Sequence, residues 1–223
     1  MKLKGPKTPS SRLAVFDLDR TLISVVSSSC YMKNLYQKRL VSFVTVLKAV
    51  WIKVKYMLTS MSLEELHHQV FNKLVKGFSI EALEYHVEEF VNQLLPSAIY
   101  KPAFQELQEA KERGDYIALI SSAPDFLVRA FATYFNISHW ESTVYAVNQK
   151  KQVCDIAKLM VGSTKKRSFL KLKKQLGLAK DQTAVYSDSH DDLPLFFQAG
   201  HPVAVNPDRK LAKVARQLNW RII

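Results

Sequence analysis

Short apolar runs alternate with amphipathic stretches along most of this chain, and the pattern predicts strands followed by helices. Leu13–Phe16 is a wholly apolar run that ends at an acidic loop, which is typical of a strand buried on both faces of a sheet. From Pro102 onward, apolar runs alternate with segments of helical periodicity. They predict strands at Tyr116–Ile120, Thr143–Val147, Thr183–Tyr186 and Val203–Val205, and helices at Ala103–Arg113, Lys165–Leu176, Asp192–Gln198 and Pro207–Leu218. This alternation indicates a parallel sheet covered on both faces.

The segment between residues 28 and 95 has helical periodicity throughout. In Val41–Leu58 the polar positions recur with a period of 3.6 residues, which predicts a basic amphipathic helix. A capping box at Ser62 opens a further helix, and Ser79 opens another that we expect to end at Pro96. This helical segment interrupts the alternation just after the first strand.

We therefore predict an α/β fold, namely a Rossmann-like parallel sheet with an inserted helical cap. Residues 12–25 and 97–223 are expected to form the core, residues 26–96 the cap, and residues 1–11 an N-terminal tail. A chain of 223 residues is long enough for one such core with an insertion.

Positive charge is concentrated in two blocks of a chain whose net charge is +12. Residues 1–60 hold 11 Lys and Arg against 2 acids, and residues 150–180 hold 10 against 1. Such blocks favour an anionic partner, for example a phosphorylated small molecule, a lipid headgroup or an anionic membrane, although a solvated basic face remains the alternative. Since the chain has neither zinc-finger spacing nor an aromatic RNA-binding strand, we expect no nucleic-acid partner.

Cysteine use and hydropathy indicate a cytoplasmic protein. Cys30 and Cys154 are too few for a disulfide framework. The basic first residues are followed by an apolar run that Asp17 soon interrupts, unlike a signal peptide. The longest apolar stretch, Val41–Leu58, carries three lysines and is not expected to span a bilayer.

Polar residues with the chemistry for phosphoryl transfer lie at or near the ends of the predicted strands, where open α/β sheets bind ligands. They are Asp17, Asp19 and Thr21, Ser121, Lys165, and Asp188 with Asp192. Converging carboxylates repel one another unless a cation such as Mg²⁺ neutralises them. One carboxylate can attack phosphorus while a second moves protons, and Lys and Ser can hold phosphoryl oxygens. Three neighbours remain alternatives: Ser122 for Ser121, Lys166 for Lys165, and Asp191 for Asp192.

These residues resemble motifs of the haloacid dehalogenase superfamily. The motifs are Asp17-Leu-Asp-Arg-Thr-Leu-Ile, the strand-end Ser121, a later Lys, and Asp188-Ser-His-Asp-Asp192-Leu-Pro. The Ile120-Ser-Ser-Ala-Pro-Asp-Phe segment and Val203-Ala-Val-Asn-Pro-Asp are similar to its phosphoserine-phosphatase-like subfamily IB. The resemblance covers the core, and it extends to the cap only in placement and helical character.

Carried over to this sequence, the resemblance implies a role for each motif residue. Asp17 would be the nucleophile, Asp19 the general acid and base, and Lys165 the cation that neutralises an aspartyl-phosphate. Mg²⁺ would be bound by Asp17, Asp188 and the backbone carbonyl of Asp19, with Asp192 beside the ligands or acting through water. The phosphate-binding set would comprise Ser121, or its neighbour Ser122, and Thr21 as support for the loop.

The resemblance implies a Mg²⁺-dependent phosphomonoesterase that acts through an aspartyl-phosphate. Phosphoserine phosphatases of this subfamily carry a Glu nine residues after the nucleophile, which binds the substrate's amino group, whereas this chain has Val26. We therefore expect a substrate other than phosphoserine, either a lipid-related or another anionic phosphate. The alternatives are a phosphotransferase to an acceptor other than water, and a membrane or nucleic-acid adaptor on an inactive scaffold.

Overall fold

The computed structural model describes residues 11–223, so the tail predicted for residues 1–11 lies outside the described residues apart from Ser11. Within residues 11–223, seven strands form one sheet in the order β4-β3-β2-β1-β5-β6-β7, parallel except where β4 meets β3. They are β1 (Leu13–Phe16), β2 (Tyr116–Pro124), β3 (His139–Val147), β4 (Val153–Lys158), β5 (Thr183–Ser187), β6 (His201–Ala204) and β7 (Arg221–Ile222). The predicted α/β class with a mostly parallel sheet is confirmed.

Among the described residues, six α-helices lie between β1 and β2. The first five of them, here called the helical insert, are α1 (Ser27–Gln37), α2 (Phe43–Leu58), α3 (Leu63–Val70), α4 (Ile80–Glu84) and α5 (Val87–Ala98). The others are α6 (Lys101–Glu112), α7 (Asp125–Tyr134), α8 (Gly162–Gln175), α9 (Leu193–Phe196) and α10 (Arg209–Gln217). Among residues 11–223, no helix combines the length and apolar character needed to cross a membrane.

Both faces of the sheet are buried, as the apolar composition of the first strand predicts. In β1, Leu13 and Val15 point into one hydrophobic cluster, whereas Ala14 and Phe16 point into the other. All four side chains are at most 1% exposed. Because successive side chains of a strand point to opposite faces, an uninterrupted apolar run is what a central strand requires.

The helical insert packs on α7 and on the hairpin formed by β3 and β4. The ring of Tyr31 lies 6.0 Å from that of Phe126, and its hydroxyl donates to the carbonyl of Leu83 at 2.6 Å. At the hairpin, the N–H of Gly77 donates to Val153 and the N–H of Val153 donates to Phe78. Apolar packing and main-chain hydrogen bonds thus connect the insert to the sheet.

The structure differs from the predicted elements in three details. Strand β4 was not predicted; it pairs antiparallel with β3 across a hairpin, where alternation is short and interrupted by charges. The helix expected to run from Ser79 to Leu95 is broken at Tyr85 and His86, and its second part continues through Pro96 to Ala98. Proline removes one main-chain hydrogen bond, and the buried Leu95 and Ala98 hold this last turn in place.

Candidate active site

Two acidic residues follow directly after adjacent strands at the carboxyl edge of the sheet. Asp17 follows β1, and its N–H donates to the carbonyl of Tyr186 in β5 at 2.9 Å. Asp188 follows β5. Since β1 is paired with β5 on one side and with β2 on the other, the parallel register brings residues far apart in sequence to one crevice, the usual place for ligands in open α/β sheets.

Lys165, which lies on a helix rather than at the end of a strand, bridges two of the acidic residues. It lies in the first turns of α8, is 4% exposed, and donates from Nζ to Oδ1 of Asp17 at 2.9 Å and to Oδ2 of Asp192 at 2.8 Å. Lys166 lies on the next position of the helix and is partly exposed. The structure therefore places Lys165, and not its neighbour, between the carboxylates.

Ser187 is a member of this cluster that sequence reasoning missed. Its hydroxyl donates to Oδ2 of Asp192 at 2.6 Å, the same oxygen that accepts from Lys165. Ser187 is the last residue of β5 and is fully buried. A polar residue at the end of an otherwise apolar buried strand is the pattern that could have pointed to it.

The loop after Asp17 is shaped by a tight turn and by the start of α1. Arg20 has a φ of 57°, in the left-handed region, and its N–H donates to the carbonyl of Val25 at 3.1 Å. Asp19 Oδ1 accepts from the N–H of Ser27, the first residue of α1, at 2.8 Å. A helix N-terminus offers free N–H groups that hold a carboxylate in place. Thr21 is fully buried, and its hydroxyl has no hydrogen-bond partner among residues 11–223.

Ser121 and Ser122 lie inside β2 rather than after it, because this strand extends to Pro124. Ser121 is 1% exposed, and its Oγ accepts from the N–H of Ala123 at 3.3 Å. The carbonyl of Ser122 accepts from the hydroxyl of Thr143 at 2.8 Å. Both serines lie on the strand next to β1, beyond the pairing of Phe16 with Leu119.

Burial and mutual repulsion make the acidic side chains weaker acids than usual. Desolvation, opposed by Lys165 and reinforced by Asp192, raises the pKa of Asp17 to about 7. Desolvation and the charge of Asp17 raise the pKa of Asp188 to about 8. Burial also raises the pKa of Asp19, although the N–H of Ser27 opposes the shift. For Lys165, burial is outweighed by the charges of Asp17 and Asp192, and its pKa is raised. One ammonium thus faces an excess of carboxylates.

The donor set fits a magnesium ion that keeps part of its water. No group of three His, Cys, Asp or Glu side chains within residues 11–223 is arranged to hold a metal alone, because Asp19 is turned towards Ser27 and Asp192 towards Lys165. Asp17 and Asp188 remain, and the buried carboxylate of Asp188 has no protein partner between residues 11 and 223. Mg²⁺ sites typically use one or two carboxylates together with water and substrate phosphate.

Three side chains of the helical insert experience the charges of this cluster or of acidic residues beside it. Burial and then the charge of Lys165 lower the pKa of His67, in α3, to about 4. Burial and the charge of Asp19 raise the pKa of Cys30. Burial and then the charges of Asp191 and Asp208 raise the pKa of Tyr56. These residues were not predicted, since nothing in their local sequence relates them to the strand ends.

A cavity lies away from this cluster. It has a volume of about 760 Å³ and is lined by residues at the opposite, amino end of the strands, among them Arg12, Glu106, Lys180 and Trp220. It contains none of the residues of the acidic cluster. The chemistry therefore belongs to the carboxyl edge, where buried carboxylates and an ammonium meet.

The family model for haloacid dehalogenase-like hydrolases matches residues 14–196, from the first strand through the loop that carries Asp188 and Asp192. The chain belongs to this family. Its fold is that of the phosphoserine-phosphatase-like branch: the solved structure of a phospho-aspartyl intermediate analogue of phosphoserine phosphatase superposes with a TM-score of 0.70, at 19% identity over 96% of this chain and 92% of that one. A Bordetella pertussis protein of unknown function superposes with a TM-score of 0.83, at 22% identity over 96% and 98%.

Curated relatives of this haloacid dehalogenase-like hydrolase include two named as phosphatases. A probable phosphatase of Mycobacterium tuberculosis is 24% identical over 98% of this chain and 77% of its own length. A histidinol-phosphatase of Neisseria meningitidis is 27% identical over 95% of this chain and 97% of its own length. The predictions of the family and of a phosphatase-type enzyme are confirmed.

Proposed function

We propose that this hydrolase is a Mg²⁺-dependent phosphomonoesterase in which Asp17 becomes transiently phosphorylated. The observation that carries the proposal is the buried bridge of Lys165 between Asp17 and Asp192, beside the unpartnered carboxylate of Asp188. A nucleophilic carboxylate and an incoming phosphate in one crevice need cationic partners, and here Lys165 supplies one while the excess of carboxylates leaves room for a divalent ion.

The chemistry follows from the position of each group. An oxygen of Asp17 attacks phosphorus, the bond from phosphorus to the ester oxygen breaks, and Asp19 gives its proton to the leaving oxygen. Asp19 then takes a proton from water, the water oxygen attacks phosphorus, and the bond to Asp17 breaks. Inorganic phosphate and both carboxyl groups are thereby regenerated. The raised pKa of Asp19 suits the first proton transfer, and the N–H of Ser27 holds its carboxyl group at the loop.

Asp17, Asp188 and the carbonyl of Asp19 are the groups proposed to hold the magnesium ion. When bound, Mg²⁺ neutralises phosphoryl oxygens and aligns the phosphate for attack. Ser121 is proposed to bind a phosphoryl oxygen, with Ser122 as its neighbour, while Asp192 fixes Lys165 from the other side.

We propose a substrate without an ammonium group near its phosphate, such as a lipid-related phosphate. The position expected to carry a Glu holds Val26, at the start of α1. A buried ammonium without a carboxylate partner would be costly, so phosphoserine is disfavoured.

The helical insert is proposed to act as a cap over the crevice, with residues 26–96 as its bounds. In this proposal, residues 12–25 and 97–223 form the catalytic core. Both cysteines are unpaired, which supports the proposal that the enzyme works in the reducing cytoplasm.

Hydrolysis of an aryl phosphate tests the proposal. We expect turnover with Mg²⁺, and its loss by at least about a thousandfold in Asp17→Asn, because the amide cannot act as the nucleophile. The matched control is Asp181→Asn, an exposed residue at the opposite end of the sheet, which should retain wild-type turnover. Equal activity of both variants would remove Asp17 from the mechanism.

A further inference from the structure

One helix of the insert exposes a continuous apolar surface. Of the 17 large hydrophobic residues that are exposed in residues 11–223, ten lie between Tyr36 and Leu58. Eight of them are on α2 and form what we call the α2 apolar face: Phe43, Val44, Leu47, Val50, Trp51, Val54, Met57 and Leu58. Within α2 only Ile52 is buried. The helix therefore turns most of its large apolar side chains outward.

The α2 apolar face is larger than ordinary surface hydrophobicity explains. Its members are 45% to 79% exposed. At roughly 200 Å² for a fully exposed large side chain, they present on the order of 1,000 Å², more than the largest patch of a typical monomer. With 100° per residue, the eight positions cover a continuous arc of about 140°. An arc of this kind is the signature of a helix that buries its outer face against something.

Lysines border this face on both sides, and no acid is near it in the sequence. Lys48 and Lys55 lie beyond one edge of the arc and Lys53 beyond the other. The whole stretch from residue 20 to 63 contains seven Lys and Arg and no Asp or Glu. The ammonium of Lys55 lies 5.4 Å from the ring centre of Trp51. Long lysine stems that cover apolar surface while their charges reach a polar boundary are typical of interfacial helices.

We propose that the α2 apolar face docks on the surface of an anionic lipid membrane. The lysine border matches negatively charged headgroups, and the apolar arc matches the acyl region beneath them. A second copy of this chain fits less well, because a symmetric contact would bring two lysine borders together with no acid between residues 20 and 63 to pair them. At 16 residues and about 24 Å in length, the helix is too short to span a bilayer and lies in its plane.

The opposite side of the same helix faces the protein, where Ile52 is buried. Tyr56 is half-buried there and experiences the charges of Asp191 and Asp208. Docking through α2 would thus place the crevice beside the membrane surface, within reach of a phosphate carried by a lipid. This last step rests on the proposed function, whereas membrane docking itself does not.

Co-sedimentation of the full chain with lipid vesicles tests the docking. We expect binding to phosphatidylcholine vesicles that contain about 30% phosphatidylglycerol, at least about tenfold stronger than to phosphatidylcholine alone and weakened by added salt. Asp17→Asn should bind as the wild type does, so failure of catalysis and failure of docking are distinguishable. A wild-type protein that stays in the supernatant with both vesicle types overturns the proposal.

Paired variants locate the binding surface. Trp51→Gln with Leu58→Gln should lower vesicle binding at least about tenfold, since both side chains lose their transfer to the acyl region. The matched pair Tyr85→Gln with Leu218→Gln changes two exposed residues outside α2 and should bind normally. Circular dichroism melting checks that each variant is folded. If the wild type instead forms a dimer that the first pair dissociates, and binds no vesicles, the face belongs to a second copy and the proposal is wrong.

Two double charge-reversal variants distinguish docking through α2 from attraction of the membrane to any basic surface of the protein. Lys48→Glu with Lys53→Glu should weaken binding at least about tenfold, because each basic residue close to an anionic surface contributes about a fivefold factor. Lys171→Glu with Lys174→Glu makes the same change on α8, in the other basic block, and should have little effect. An equal loss in both pairs would show unspecific attraction and overturn the assignment to α2.

Discussion

Replacement of Lys165 by methionine removes the ammonium that bridges Asp17 and Asp192, and we expect the variant to lose both turnover and stability. Methionine preserves most of the side-chain volume, so packing changes little. The nitrogen it removes lies 2.9 Å and 2.8 Å from the two carboxylate oxygens, in a residue that is 4% exposed. The loss of turnover and of stability in this variant therefore reports the contribution of the charge rather than of packing.

The size of the loss follows from burial. Removing one member of a buried ion pair typically costs 3–5 kcal/mol, because the remaining charge has no partner. Here part of that cost is avoided, since the pKa of Asp17 is already raised to about 7 and its carboxyl group can take up a proton. We expect a loss of about 3 kcal/mol in the free energy of unfolding at neutral pH. Turnover should fall by about 10²- to 10³-fold, as for the loss of one donor to a developing charge.

Urea unfolding followed by circular dichroism gives the stability, and aryl phosphate hydrolysis with Mg²⁺ gives the turnover. Lys166→Met is the matched control: it lies one position along α8, makes no contact with the carboxylates, and should change stability by less than about 0.5 kcal/mol. If Lys165→Met retained wild-type turnover and stability, the bridge would have no functional part. Equal losses in the two variants would show a general effect of charge on α8.

Three further predictions concern pH, metal and packing. The pKa of His67 is lowered from 6.5 to about 4, so the unfolded chain binds its proton more tightly. The contribution of His67 to stability should therefore be full above pH 6.5 and fall by up to about 3 kcal/mol towards pH 4. Urea unfolding at several pH values should show a smaller decrease in His67→Gln, while His68→Gln, an exposed neighbour, follows the wild type. Mg²⁺ should raise the Tm of the wild type by several degrees, in proportion to binding, and raise it little in Asp188→Asn; an equal increase in both would exclude Asp188 as a ligand. Gly200→Ala should lower the free energy of unfolding by at least about 2 kcal/mol, because the added Cβ would lie too close to the backbone carbonyl oxygen of Lys180. A thermal melt that matched the wild type would show that the backbone shifts to accommodate the methyl group.

The sheet and the ends of its strands could be predicted because they depend on local patterns. An apolar run followed by Asp17 indicates a buried strand that ends at a ligand site, and the same pattern recurs at Asp188. Position in a parallel sheet then brings the two together whatever the intervening sequence contains. Lys165 could be anticipated from the start of a helix, although its choice over Lys166 depended on which side of α8 faces the sheet.

The contacts made by the helical insert could not be predicted in the same way. The charge of Lys165 reaches His67, and that of Asp191 reaches Tyr56, only because of how α2 and α3 pack. Packing between helices leaves little trace in the spacing of a single helix. The sequence of α2 predicted a basic amphipathic helix, but its amphipathic pattern does not reveal which side meets the protein. In the structure the large apolar side chains turn outward, and Ile52 is buried instead. Ser187 was missed since a lone serine at a strand end is common.

The central place of β1 in the sheet has a consequence for biosynthesis. Leu13 pairs with Tyr116 on one side and with Thr183 on the other, so β1 leaves the ribosome before both of its neighbours, which are made more than a hundred residues later. Until then its apolar side chains have no sheet to join, and contacts so distant in sequence form slowly. The sheet is therefore expected to form only after β5 has been synthesised, and a chaperone that shelters β1 until then would raise the yield of active enzyme.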